Sequence, residues 1–164
     1  TGLWQSTGGN TGGCWDIHST GRNNTDISYI EWTGTWEDLG VTIGNPVTQI
    51  TLPKIDWQVD EVLVSNGGTI GAFELLDSGG VLQGTFFPSQ TFTGAVTSWA
   101  TKTGSTVAVP SGIQPSGTTI KLRIYIGLDN ANDANAITSV HIDNVNLLLD
   151  YGGGTTNLTL PVSI

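Results

Sequence analysis

The segment from Thr118 to Leu128 carries the pattern that most constrains this chain, an alternation of apolar and polar side chains. Isoleucine or leucine occupies every even position from Ile120 to Leu128, while Lys121 and Arg123 lie among the odd positions. Successive side chains of a β-strand point to opposite faces, so this segment predicts a strand with one buried face. We expect Lys121 and Arg123 to point outward and to pair with acids on a neighbouring strand.

The rest of the chain shows the same preference for strands, and no window of a dozen residues has helical spacing of apolar groups. Turn residues separate the segments at intervals typical of a sandwich or jelly roll. A length of 164 residues suits a single domain. The sequence therefore predicts an all-β, antiparallel β-sandwich (jelly roll). Its other clear strands are Val47 to Ile55, Trp57 to Ser65, Gly71 to Asp77, Val81 to Phe87, Ser139 to Tyr151 and Leu158 to Ile164.

Two predicted strands change phase midway. Apolar residues alternate at even positions up to Ile142 and at odd positions from Val145 onward. This change predicts a β-bulge near Asp143-Asn144. Val59 and Val62 are likewise three positions apart, which predicts a second bulge at Asp60-Glu61. If the bulge follows Asp143, then His141 and Asp143 share a face, and we expect them to form an outward polar pair.

The C-terminal segment predicts a separate element. We divide the chain into a β-sandwich domain, 1–151, and a glycine hinge with a C-terminal strand or arm, 152–164. Pro161 cannot donate to a ladder, which places this strand at a sheet edge. The favoured interpretation is an edge strand of the same domain, and exchange onto a neighbouring subunit is the alternative. The apolar side of this assembly arm is formed by Leu158, Leu160, Val162 and Ile164.

Charge and composition exclude some classes of partner. The net charge is -9 and no cluster of Lys and Arg occurs, so we expect no nucleic-acid binding. No apolar run approaches the length of a membrane span, and we expect no membrane partner. The lone Cys14 has no second cysteine with which to form an internal disulfide. Low lysine with abundant Thr, Gly and Asn is typical of proteins on a virion or extracellular surface.

Candidate catalytic and metal-binding residues are few. His18 and His141 are the two histidines, and no nucleophile elbow, zinc motif or phosphate loop accompanies them. We therefore predict a non-catalytic protein without an organic cofactor. Asp129, Asn132 and Asp133 concentrate oxygen donors in one segment, which suits structural calcium, although Asn and Asp are also ordinary turn formers.

The segment Ser139-Val-His-Ile-Asp-Asn-Val-Asn-Leu147 resembles the last core strand of galactose-binding-like jelly rolls, which include many carbohydrate-binding modules. The similarity extends to Thr118 to Ile124 and to the hairpin at Asp77-Ser-Gly-Gly80. This resemblance implies sugar recognition by exposed aromatic and polar loop residues, often with structural calcium.

A second resemblance covers the front of the chain. Cys14-Trp15-Asp16, Gly21-Arg-Asn-Asn24 and the segment from Glu31 to Val41 are similar to β-sandwich proteins of tailed phages. This resemblance implies a structural role on a particle, such as capsid decoration or a tail component.

Four of the six tryptophans carry both functional hypotheses. We expect Trp32 to plug the sandwich core and Trp4, Trp15, Trp36 and Trp99 to be interface or glycan-binding residues. Trp4 and Trp15 are the preferred contacts, because their glycine-rich segments predict no strand. The first hypothesis is a module that assembles with other subunits of a homo-oligomer or virion shell through edge strands and tryptophan anchors. The alternative is a carbohydrate-binding module with a tryptophan platform for glycans.

Overall fold

The structure is a computed structural model that describes residues 2–5, 14–20, 24–62, 67–87, 90–92, 96–130, 137–152 and 154–159. Within these ranges the chain is nearly all β, with two short 3-10 turns at Glu37–Leu39 and Ser111–Ile113 and no α-helix. No helix in the described part is long and apolar enough to cross a bilayer. The strands are β1 Gly2–Gln5, β2 Cys14–Thr20, β3 Asn24–Thr35, β4 Val47–Val62, β5 Gly67–Asp77, β6 Leu82–Phe87, β7 Gln90–Phe92, β8 Val96–Thr103, β9 Val107–Ala108, β10 Thr119–Asn130, β11 Ile137–Tyr151 and β12 Gly154–Thr159.

The strands of the described part form two sheets. The seven-stranded sheet has the order β1-β2-β11-β4-β8, with β12 also pairing with β11 and β9 also pairing with β4. The five-stranded sheet has the order β3-β10-β5-β6, with β7 also pairing with β5. The pairings are antiparallel, which confirms the predicted antiparallel β-sandwich.

The core lies between the sheets and takes alternate residues from both. In β10, Ile120, Leu122 and Ile124 are buried as the alternation predicts. Phe73 contacts Phe86 and Phe87 with ring centroids 4.7 and 5.6 Å apart, in tilted arrangements that aromatic pairs favour. The core side of the seven-stranded sheet is equally apolar, with Val59, Ile50, Ile55, Val140, Ile142, Leu147 and Leu149 fully buried.

Both predicted phase changes are confirmed. The register between β11 and β4 shifts between Asp143 and Asn146, and Asn144 has a φ of 47°, in the left-handed region that Asn tolerates better than most residues. A second shift sets Ser139 opposite Glu61 and Val140 opposite Val59, which leaves Asp60 as the extra residue. The bulges are the places where the buried parity of a strand changes.

The C-terminal strand pairs with its own chain as far as the structure describes it. β12 runs antiparallel to β11, from Gly154 opposite Tyr151 to Thr159 opposite Asn146, and Leu158 lies opposite Leu147. At the predicted glycine hinge, the Gly152 amide donates to the Pro46 carbonyl at 3.2 Å. The remaining predicted arm residues, Leu160, Val162 and Ile164, lie outside the described residues.

The front of the chain differs from the sequence prediction. The sequence predicts Trp4 and Trp15 to lie outside any strand, yet they lie opposite each other in β1 and β2. The glycine-rich composition hides this hairpin, because pairing with β11 at the other end of the chain supports β2. Local propensity is a weak guide where a partner strand supplies the hydrogen bonds.

Candidate functional site

The outward side of the seven-stranded sheet carries an unusual concentration of buried polar groups. We call this side, which faces away from the five-stranded sheet, the outer face. In β11, Val140 and Ile142 point into the core, so His141 and Asp143 between and after them lie on the outer face. Nevertheless, His141 and Asp143 are only 8% and 6% exposed. The bulge follows Asp143, so the two side chains share the outward face as the sequence predicts, although both are largely buried there.

One row of side chains crosses four strands of this face. Asp16 in β2 and Gln58 in β4 both lie opposite His141, and the His141 Nε2 atom is 3.5 Å from the Asp16 Oδ1 atom. The half-buried Trp99 in β8 stacks near-parallel to the imidazole, with ring centroids 6.5 Å apart and planes inclined by 28°. We call Asp16, Gln58, Trp99 and His141 the aromatic subsite.

A second row follows directly along β11. Asp143 lies opposite Asp56 of β4, and each is less than a tenth exposed. The Thr101 hydroxyl donates to Asp56 Oδ1 at 2.6 Å, and the Asn144 carboxamide donates to Asp56 Oδ2 at 2.8 Å. Charged carboxylates need such donors when they leave water. The bulge at Asn144 therefore places a hydrogen-bond donor beside two neighbouring acids.

A third polar group lies at the far end of the same face. Asp150 Oδ2 accepts from Gln49 Nε2 and from the Thr51 hydroxyl, both at 2.9 Å, and Gln49 Nε2 also lies 3.1 Å from the Thr51 hydroxyl oxygen. Asp150 and Gln49 are opposite each other in β11 and β4. We call Gln49, Thr51 and Asp150 the distal subsite. All three side chains are partly exposed.

The outward side of the five-stranded sheet has a different character, because its charges satisfy one another. Arg123 donates from Nε to Glu31 at 2.7 Å and from Nη1 to the Tyr125 hydroxyl at 2.6 Å, and Lys121 Nζ lies 3.3 Å from Glu31. The guanidinium also lies 4.5 Å from the centre of the Tyr29 ring. The predicted pairing of both cations with an acid on a neighbouring strand is confirmed.

The pKa values of this network show the same balance. Burial alone would raise the pKa of Glu31, but hydrogen bonds and charge attraction from Arg123 and Lys121 hold it below its ordinary value. Burial raises the pKa of Glu74, which lies opposite Arg123, although the guanidinium opposes this shift. Arg123 therefore binds groups of its own sheet, and this network stabilises the strands it joins.

The four tryptophans that were predicted as contact residues differ in burial and in location. Trp36 is 0% exposed and its Nε1 donates to the Ile113 carbonyl at 2.6 Å, so the predicted contact role of Trp36 is wrong. Trp15 is partly buried and packs against the core, as does Trp32. Trp4 lies opposite Trp15, and its side chain is outside the described part. Trp99 belongs to the polar outer face.

The predicted calcium residues stay a prediction. Asp129 lies near the end of β10, whereas Asn132 and Asp133 are outside the described residues. Among the residues that the structure does describe, no group of three or more His, Cys, Asp or Glu side chains could hold a metal ion. His18 lies in β2 opposite Ser139.

Sequence reasoning missed most partners of Trp99 and His141. Asp16, Gln58 and Asp56 stand in strands far from β11 along the chain, and nothing in their local sequence indicates which strand lies beside them. A usable signal was their parity, because each aspartate or glutamine stands between two apolar residues in the sequence, although only Gln58 falls within a predicted strand. Polar residues at these alternate positions mark one face, but only the strand order brings them together.

No family model and no curated protein matches this chain. A solved structure of the Caldicellulosiruptor saccharolyticus module CBM27-1 with mannohexaose is similar over 88% of this chain and 80% of that one, at 12% identity and a TM-score of 0.44. Arabinose-bound MgGH51 α-L-arabinofuranosidase is similar over 87% of this chain but only 21% of that one, at 11% identity and a TM-score of 0.40. Neither likeness assigns a ligand to this chain.

Proposed function

We propose that this chain is a non-catalytic carbohydrate-binding module whose ligand lies on the outer face of the seven-stranded sheet. The observation that carries the proposal is the aromatic subsite, where the partly exposed Trp99 ring is stacked beside His141 in a row with Asp16 and Gln58. Sugars present apolar ring faces together with many hydroxyl groups. A binding site for them combines an aromatic surface with a few fixed polar groups.

The hydrogen bonds around Asp56 support binding in preference to catalysis. Each of its carboxylate oxygens accepts a bond, one from Thr101 and one from Asn144. A carboxylate held in this way is rigid and keeps lone pairs directed at its donors, which suits positioning more than proton transfer. The site thus orders its polar side chains before a ligand arrives, which lowers the entropy cost of binding.

The hypothesis of particle assembly receives less support from the described residues. Its C-terminal arm, predicted to contact a neighbouring subunit in one alternative, pairs with β11 of the same chain up to Thr159. Glycan binding, which is the alternative hypothesis from the sequence, is therefore the function that we favour.

A test compares the aromatic residues of the two outward surfaces. Wild type, Trp99→Ala and Tyr29→Ala are titrated calorimetrically with soluble neutral polysaccharides of gluco-, manno- and xylo-type. Truncation of a central aromatic anchor costs roughly 2 kcal/mol, or about 30-fold in affinity. We expect this loss for Trp99→Ala and wild-type affinity for Tyr29→Ala, whose side chain is 53% exposed on the other sheet.

The thermal midpoints of both variants are measured first, so that a folding defect is not mistaken for lost binding. Absence of wild-type binding to the whole panel would contradict glycan recognition. Loss of binding in Tyr29→Ala alone would retain the function and move the site to the five-stranded sheet.

A further inference from the structure

The aromatic and distal subsites lie on one continuous surface. From Asp143 to Asp150, the outer-face positions of β11 remain opposite those of β4: Asp143 is opposite Asp56, Asn146 opposite Lys54, Leu148 opposite Thr51 and Asp150 opposite Gln49. Directly opposed residues of an antiparallel pair share a face, so the two subsites lie on the same face of the sheet.

The distance between the subsites can be worked out from β11. Asp150 is nine positions after His141, and one of the intervening residues, Asn144, is the bulge. At a strand rise of about 3.3 Å per residue, eight regular steps span about 26 Å. That length exceeds a disaccharide and corresponds to several sugar rings in an extended chain.

The distal subsite has hydrogen-bonding capacity left for a ligand. The bonds from Gln49 and Thr51 both end on Asp150 Oδ2, and within the described part of the chain Asp150 Oδ1 accepts none. Leu148 lies between this subsite and Asn146 on the same face and is partly exposed. The far end therefore offers an oriented carboxylate beside an apolar side chain, a combination that suits a sugar hydroxyl and ring.

The charge of this face restricts the class of ligand. Asp16, Asp56, Asp143 and Asp150 lie on it, and Lys54 is the cation among its described side chains. Acidic polysaccharides would place further negative charge against these aspartates, which costs free energy where groups are partly buried. An uncharged hydroxyl group can donate to the partly exposed Asp150 carboxylate without this cost.

We infer that the distal subsite binds the far end of the same ligand, which makes the ligand an extended, unbranched and uncharged stretch of polysaccharide lying along β11. This inference rests on the proposed function and adds to it a second contact region, a minimum length and a charge class. A short neutral sugar would reach only the aromatic subsite, whereas a hexasaccharide would reach both.

The experiment measures chain length and subsite together. Wild type, Trp99→Ala and the double variant Gln49→Ala/Thr51→Val are titrated with neutral hexasaccharides, with the corresponding disaccharides and with a galacturonic acid hexamer. Removal of the two groups that hold the Asp150 carboxylate in place should weaken hexasaccharide binding by the double variant about tenfold. Its disaccharide affinity should stay at the wild-type value, while Trp99→Ala should lose affinity for both lengths.

The outcomes separate this inference from the proposed function. If wild type binds no neutral sugar of either length, the proposed function fails and this inference fails with it. If wild type binds disaccharide and hexasaccharide equally well, or the double variant keeps full hexasaccharide affinity, only the inference fails. Equal affinity for the galacturonic acid hexamer would refute the charge class. Asp150→Asn, which preserves the side-chain shape, replaces the double variant if the latter melts early, and the same losses are expected.

Discussion

Replacing Trp36 by phenylalanine tests whether this tryptophan belongs to the core or to a contact surface. The side chain is 0% exposed, and its Nε1 donates to the Ile113 carbonyl at 2.6 Å across 77 residues of sequence. Phenylalanine keeps an aromatic ring but leaves that carbonyl without its partner, which costs about 1–3 kcal/mol. The smaller ring also leaves a void, and large-to-small changes in a core add roughly 1 kcal/mol or more.

We therefore expect Trp36→Phe to lower the free energy of unfolding by about 3 kcal/mol. A domain of this size loses about 2–4 °C of melting temperature per kcal/mol, so the midpoint should fall by about 6–12 °C. Urea unfolding gives the measurement, with an unchanged m-value as the sign that two-state behaviour is retained.

The matched control is Trp99→Phe, the same replacement on the outer face. Because Trp99 is partly exposed and outside the core cluster, its loss of stability should stay below about 1 kcal/mol. Equal destabilisation by the two variants would refute the assignment of Trp36 to the core and of Trp99 to a surface. Loss of glycan binding in a fully folded Trp36→Phe would do the same.

Two further predictions concern stability. The pKa of Glu31 is lowered in the folded protein, so its carboxylate stabilises the fold above its ordinary pKa of about 4.3, and this stabilisation is lost as the pH falls through the lowered value. Glu31→Gln should therefore cost roughly 1 kcal/mol at pH 7 in urea titrations, with the difference from wild type shrinking as the pH falls below the ordinary pKa; a constant difference would contradict the contribution of Arg123. Gly104→Ala should lower the melting temperature, since a Cβ there would lie 2.6 Å from the Phe86 carbonyl oxygen. Gly112→Ala, where a Cβ meets open space, is the control, and equal melting of the two variants would be inconsistent with this packing.

Several features of the fold could be predicted because they depend on neighbours along the chain. The alternation in β10 specifies which residues enter the core, and Ile120, Leu122 and Ile124 do so. The break in parity after Ile142 indicates a bulge, since a core strand can change parity only by an extra residue, and Asn144 suits the left-handed backbone that results. These inferences depend only on the two-residue repeat with which side chains alternate along a strand.

The fate of each tryptophan could not be predicted in this way. Trp36 follows a strand and precedes two acids, a setting that looks exposed in the sequence. It is buried among the apolar residues of the core, and the Ile113 carbonyl, far along the chain, accepts the hydrogen bond from its Nε1 atom. Trp99, by contrast, lies on the outer face because of its position in β8 and is stacked on a histidine from β11.

The sequence by itself determined the class of fold, the buried parity of its strands, the bulges and the acidic character of the surface. Each of these follows from local period or from composition. Only the tertiary structure decided that β2, β11, β4 and β8 lie side by side, bringing Asp16, His141, Gln58 and Trp99 into one row. Strand order depends on pairings between distant segments, and many orders satisfy the same alternation equally well. The candidate site is a property of that order.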